Sequence, residues 1–581
     1  MKMPWLLPVI AVLLCCGLTP ARGTTPVLVQ DFEKASSLPK LGVVNIPNEN
    51  ASVTLSPDHP AAGKQCLKLH YHFTGAGQYL VIDNPVSIKA PIHKLHFMLY
   101  GNSSGCGYGV YLTDASGQTH KYRHADTMKI DFTGWKEITV DLDAPHETWG
   151  GDKSGKIGLP IAGITFEVST AGKVDVNSDL YFDTLVVDSD KSAAETLGCE
   201  VSVTSPAYCS DIKGDTTIAV AGPGFKTLTA KCWKQGPGFG ADSTVATVAL
   251  DADGNGSFVF PANDYPHGPI TIRIGGDNGS AKDNCYLQLY NQGGVSWNEG
   301  MPKDPPPAAE GMKLVFADDF SGPLSISSTD PKATYYPHKP PGGYQDFSSL
   351  PFTDFHAPHN PFAKVDNYLR IRASEKAHSS GLISSVKNDA SGVRAAVPCY
   401  FECRFIGPNA IGTWPAFWLM TDYMPDEVKG KHVPCDELDI IEAYGGEGPH
   451  HPNAYDLYMV TPHAWNQGDA GKAMGEAAYK QMHNPISMHK FGIPSTWYET
   501  FHTYGCKITA TDTIYYCDNI EVGRHPTLDL SKKSAFFFMI NLATGGGWPV
   551  DLSRYDGLAD MYVAFVRVYS GAPAPAAAPQ P

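Results

Sequence analysis

One stretch, Cys435-Asp-Glu437-Leu-Asp439-Ile-Ile-Glu442-Ala-Tyr444-Gly-Gly, restricts the fold more than any other part of the chain. Its acids alternate with aliphatic residues, and in an extended strand residues two apart share a face. Glu437 and Asp439 therefore point one way, while Leu438 and Ile440 point into a core. Glu442 stands five positions from Glu437, where strict alternation would bury it. One extra residue in a β-bulge at the adjacent isoleucines returns it to the acidic face. Such a segment needs a sheet with one face packed and the other open and polar. Gly412-Thr-Trp414-Pro-Ala416-Phe417-Trp418-Leu-Met has the same form. Trp414, Ala416 and Trp418 share one face, and Phe417 and Leu419 take the other.

The rest of the chain agrees with strands. Its 581 residues include 57 glycines and 46 prolines, with 11% aromatic and 18% charged residues. That mixture suits short strands and many turns, so an all-β chain of several domains is expected. Apolar residues make up 42%, enough to exclude wholesale disorder. The net charge of −16 lacks the basic surplus of a nucleic-acid binder. Residues 1–23, with Lys2 ahead of a short apolar run and small residues at Ala21 and Gly23, read as a secretory signal peptide. The rival, a lipid anchor on Cys16, is disfavoured by Cys15 beside it, where small residues are usual. No later stretch is apolar enough to span a bilayer. The chain is expected to be secreted, extracellular or periplasmic, and monomeric.

Residues 195–292 hold short strands at regular spacing, which suggests an immunoglobulin-like sandwich. Residues 293–311 are Pro-rich and read as a semi-rigid spacer. Residues 312–570 form the largest unit, and 571–581 are a Pro/Ala tail expected to be disordered. Of 13 cysteines, two lie in the leader and an odd number remains. Cys66 could pair with Cys106, and Cys199, Cys209, Cys232 and Cys285 could form two bridges. Residues 24–190 open with VLVQDFE and close with LYFDTLVVD. That arrangement resembles jelly-roll carbohydrate-binding modules, in which the first and last strands lie side by side. Acids on these strands hold a structural calcium in that family. The resemblance makes Asp31 and Asp183 candidate ligands, with plain solvated strand ends as the alternative.

The acidic row also carries a chemical reading. Two carboxylates on one surface suit glycoside hydrolysis, one attacking the anomeric carbon while the other protonates the leaving oxygen. A third acid between them helps to separate their proton affinities. Flat indoles along the same face would stack on sugar rings. The bulged E-x-D-x-x-E, preceded by W-P-A-F-W-L, resembles glycoside hydrolase family 16. Leu314–Phe320, Ser380–Ser385, Tyr400–Arg404, Phe501–Tyr504, Asn541–Pro549 and Val566–Tyr569 resemble further strands of that family, in the expected order.

The resemblance implies a β-jelly-roll sandwich and retaining endo-hydrolysis of β-linked glucans or galactans, with no required cofactor. It makes Glu437 the nucleophile, Glu442 the acid/base and Asp439 the assisting acid. It makes Trp414, Trp418, His463, Trp465, Asn541 and Trp548 substrate-binding candidates. A β-1,3- or β-1,3-1,4-glucan is the expected substrate. The alternatives are a marine galactan such as agar, porphyran or carrageenan, or a protein that binds a polysaccharide without cutting it. Residues 331–362, rich in Pro, Tyr and His, either wall the cleft or form a lid without a role.

Overall fold

The computed structural model describes residues 24–571 except 34–37, 124–127, 173–174, 192–195, 198–199, 235–243, 252–253, 280–281, 297–299, 341–345, 422–433, 447–456, 483 and 547–549. The expected signal peptide, Trp548 and all but one residue of the tail lie outside the described residues. Among those described, no helix is long and apolar enough to cross a membrane.

Among the described residues the fold is all-β apart from one long helix and short helical turns. Residues 24–190 form two packed six-stranded sheets. Strand Thr25–Gln30 pairs antiparallel with the last strand, Val176–Ser189, as expected of the first and last strands. Alternation along Cys66–Phe73 and Tyr79–Ile88 sends Leu67, Leu69, Leu80 and Ile82 into the core between the sheets. Cys66 and Cys106 are buried thiols and form no disulfide. Cys66 opens a strand of one sheet and Cys106 precedes a strand of the other. The expected bridges of the second unit are also absent: Cys209, Cys232 and Cys285 are thiols, and Cys199 lies outside the described residues.

Asp31 and Asp183 do not form one donor cluster among the described residues. Asp183 is fully buried, and its Oδ2 accepts from the amides of Ala61 and Ala62 at 2.7 and 3.1 Å while Oδ1 accepts from that of Thr184 at 2.7 Å. Asp31 is exposed and accepts from the amide of Glu33. Both carboxylates thus hold backbone turns.

The second unit is a sandwich of a three-stranded and a five-stranded sheet. Its core is continuous with that of the third unit. The segment expected to be a spacer is instead docked. Ala308 and Ala309 are buried against Tyr400 and Tyr569, and the carbonyls of Pro302 and Asp304 accept from Arg567 Nη1 at 2.8 and 2.9 Å.

The third unit is a sandwich of an eight-stranded and a seven-stranded sheet. The opening strand Lys313–Asp318 pairs with the closing strand Leu558–Ser570 in the eight-stranded sheet. The seven-stranded sheet runs in the order Gly381–Ser384, Ala535–Thr544, Thr413–Thr421, Cys435–Glu442, Leu457–Trp465, Ile486–Ser487, with Ala395–Ala396 beside Ala535–Thr544. Phe417, Leu419, Leu438, Ile440 and Ile441 lie in the core between the sheets. The opposite face of the seven-stranded sheet carries the acids.

Candidate active site

Three neighbouring strands hold the site: the tryptophan strand Thr413–Thr421, the acidic strand Cys435–Glu442 and the histidine strand Leu457–Trp465. The bulge falls where the adjacent isoleucines demand it. Trp418 faces Asp439 and Phe417 faces Ile441, so Ile440 has no counterpart on the tryptophan strand. Across the other edge Asp439 faces Thr461 and Glu442 faces Met459, leaving two isoleucines against Val460. Both isoleucines are buried, and Glu437, Asp439 and Glu442 emerge on one face.

Each acid has a different surrounding. Glu437 Oε2 accepts from the indole N–H of Trp465 at 3.1 Å. Burial pushes its pKa up, while the Lys339 ammonium and the Trp465 bond pull it back. Glu442 accepts from the Thr461 hydroxyl at 2.6 Å and the Tyr444 hydroxyl at 3.1 Å. Burial again raises it, those two bonds oppose the rise, and Glu437 adds to it. Asp439 stands between them and is 4% exposed. Burial and the carboxylates of Glu442 and Glu437 hold it far above the ordinary carboxylate range, so it keeps its proton. His463 Nε2 lies 3.6 Å from Asp439 Oδ2, and burial lowers the imidazole pKa, which keeps that ring neutral. The row therefore offers one acid that stays protonated, flanked by two whose proton affinities are tuned separately. That is the arrangement a nucleophile and a proton donor need.

The indoles differ from one another. Trp414 is half-buried and stacks on Tyr444 at 5.5 Å between ring centroids. Trp418 is only 4% exposed, with Phe347 edge-on at 5.8 Å and Lys339 Nζ 5.8 Å from its ring centroid. It is a buried floor and not an open platform. Asn541 is fully buried and braces that floor, accepting from Trp418 Nε1 at 2.8 Å and donating to the Trp414 carbonyl at 3.1 Å. The expected substrate-binding role for Asn541 does not fit a side chain whose amide is committed this way. Trp465 is 44% exposed and stacks on His463 at 4.7 Å and 21°.

Described residues of 331–362 wall this face: Phe347 packs on Trp414 and Trp418, and Phe352 packs on Phe347 in the same buried cluster. Sequence reasoning missed four contributors. Tyr444 and Thr461 were legible, since Tyr444 follows Glu442 by two positions and Thr461 precedes His463 by two. Lys339 and Phe347 carry no such signal, because they arrive from a segment about 100 residues upstream of the acids.

Among the described residues, two sets of donor atoms could hold a metal ion. Those of Glu437, Asp439 and His463 lie within 4.8 Å of one another, as do those of His502, Cys517 and Asp518. The first set takes Glu437 and Asp439 from the acidic row and adds His463. In the second, His502 is already bonded to Asp518 at 2.6 Å and Ser495 at 3.2 Å.

No family model matches the chain. The endo-1,3-1,4-β-glycanase EglC of Rhizobium meliloti (strain 1021) is 27% identical over 224 residues, which cover 36% of this chain and 40% of that protein. The endo-1,3-1,4-β-glycanase ExsH of the same organism is 25% identical over 281 residues, covering 45% and 52%. The chain thus spans about half the length of these curated relatives. A laminarinase structure from Flavobacterium sp. UMI-01 shows 20% identity and covers 44% of this chain and 100% of that one, with a TM-score of 0.30. The two curated relatives support the resemblance to glycoside hydrolase family 16 that the motifs carry.

Proposed function

We propose that the chain is an exported endo-acting β-glycanase that hydrolyses a β-1,3- or β-1,3-1,4-glucan with retention of configuration. The observation that carries this reading is the row Glu437, Asp439, Glu442 on one bulged strand, with a different environment for each carboxyl. The names of the two curated relatives favour the glucan linkages.

Glu437 attacks the anomeric carbon as the glycosidic C–O bond breaks, and Glu442 gives its proton to the departing oxygen. Asp439, protonated, donates toward Glu437 and disperses the charge of the free carboxylate. Glu442, now ionised, takes a proton from water. The resulting hydroxide displaces Glu437 from the anomeric carbon and regenerates both groups. Trp465 and Lys339 hold Glu437 ready as an anion, and Thr461 and Tyr444 orient Glu442.

The test is reducing-end release from laminarin, mixed-linkage β-glucan, agarose, porphyran and carrageenan. Wild type is expected to cut the first two and Glu437→Gln none. Glu442→Gln should lose about 10²–10⁴ in rate. The first-formed product, followed by NMR, should be the β-anomer. Cleavage of a galactan alone would replace the substrate. An α-anomer would replace the mechanism. Tight binding of a panel member without cleavage would make this a binding protein.

A further inference from the structure

Helix Gly468–Met482 follows the histidine strand directly and has no counterpart in the reading of this chain as strands. Asp469, Lys472, Glu476 and Tyr479 recur at steps of three, four and three, which places them on one helix face. That face and the end of the histidine strand line an open cavity of about 610 Å³. This volume falls within the roughly 300–1,000 Å³ of small-molecule sites. The strand wall is the stacked pair His463 and Trp465, and the Tyr479 ring lies 6.1 Å from that of His463.

The cavity is a built feature. Gly475 lets the helix lie close on the strand, since a Cβ there would meet that of Ala464 at 2.7 Å. Ala478 and Met482 are buried beneath it. The cavity also begins where the acidic row ends, because Trp465, which lines it, donates its indole N–H to Glu437.

We propose that this cavity is a further subsite, added by the helix, for one uncharged pyranose residue of the polysaccharide. The proposal rests on the glycanase reading above. The Trp465 indole, 44% exposed and stacked on His463, offers apolar ring surface for the C–H side of a sugar ring, and the opposite wall offers groups for its hydroxyls: Asp469 and Glu476 to accept, Lys472 to donate. Two carboxylates against one ammonium disfavour a ring bearing sulfate or carboxylate.

The experiment measures kcat/KM on a ladder of β-1,3-gluco-oligosaccharides of increasing length. It compares wild type with the double variant Lys472→Ala/Glu476→Ala, whose two positions are exposed, so that folding is spared. Wild type should gain about tenfold at the length that first reaches the cavity, the value of one charged hydrogen bond. The variant should lose that gain and match wild type on the shortest cleavable member. A flat ladder in wild type, an unchanged ladder in the variant, or an equal loss at every length overturns the subsite while leaving the glycanase reading intact. An equal gain from a sulfated terminal ring overturns the uncharged class. If wild type cuts no glycan at all, the glycanase reading falls and the subsite with it.

Discussion

Asp439 is the residue on which the acidic row depends, and it costs the fold stability. Its pKa is raised by burial and by two neighbouring carboxylates. The folded chain therefore keeps a proton there that the unfolded chain releases at about pH 4. Between these two values the folded state binds more protons, so stability falls as pH rises. Asp439→Asn removes the titration. It should raise the melting temperature of the transition that the second and third units share, at neutral and alkaline pH, by at most about 2–4 °C per kcal/mol relieved, and the gain should vanish below about pH 4. Scanning calorimetry from pH 4 to pH 8 decides it, and a gain that is equal at all pH would rule out the retained proton. A second expectation concerns Thr461. Its hydroxyl stabilises the ionised form of Glu442, so Thr461→Val should move the alkaline limb of the kcat/KM profile upward. A limb that stays in place, or moves down, would detach Thr461 from the proton donor. At this scale the acids were legible because a period of two and one bulge determine where they point. The burial of Asn541 was not, because its partners Trp418 and Trp414 belong to another strand.

At the scale of elements, the bulged and tryptophan strands were legible from alternation alone, and the helix was not. Its sequence, GDAGKAMGEAAYKQM, carries four Ala with two Lys and two Met, which favour helix. The Gly and Pro content of the chain as a whole masked that local signal. The docked linker was hidden for another reason. Its anchor, Arg567, lies over 260 positions away and is 3% exposed, paired with Glu402, which is 1% exposed. Strand and linker thus share one buried cation, and its removal would leave the Glu402 carboxylate without its partner charge. Arg567→Met should therefore destabilise the chain by about 3–5 kcal/mol, seen as a lowered urea midpoint. The double variant Arg567→Met/Glu402→Leu should recover most of the loss. A double variant as unstable as the single would mean that packing, and not an unpaired charge, is what fails.

At the scale of the whole molecule, the union of the second and third units was not legible in the sequence. Contacts across it join residues from 76 to 272 positions apart, which no local pattern connects. Arg554 Nη1 donates to Asp283 Oδ2 at 2.8 Å, and Nη2 to Oδ1 at 3.1 Å. Gln288 pairs reciprocally with the backbone of Asp560, donating at 2.6 Å and accepting at 2.9 Å. Tyr290 donates to Asp366 at 2.6 Å. Interfaces between domains of one chain are ordinarily weak enough to permit relative motion. Here the cores run together and these polar groups are paired across them, so the two units should unfold as one. Calorimetry of the full chain should show a single transition for residues 195–570, and protease should spare residues 293–311. Arg554→Ala leaves Asp283 partly buried without its countercharge, a loss of about 3–5 kcal/mol at such sites. It should split that transition in two and open the linker to cleavage, while kcat/KM on the shortest cleavable oligosaccharide stays near that of wild type. Two transitions in wild type itself would show that the matched groups do not couple the units. Persistence of one transition in Arg554→Ala would shift the coupling from the ion pair to the shared apolar core.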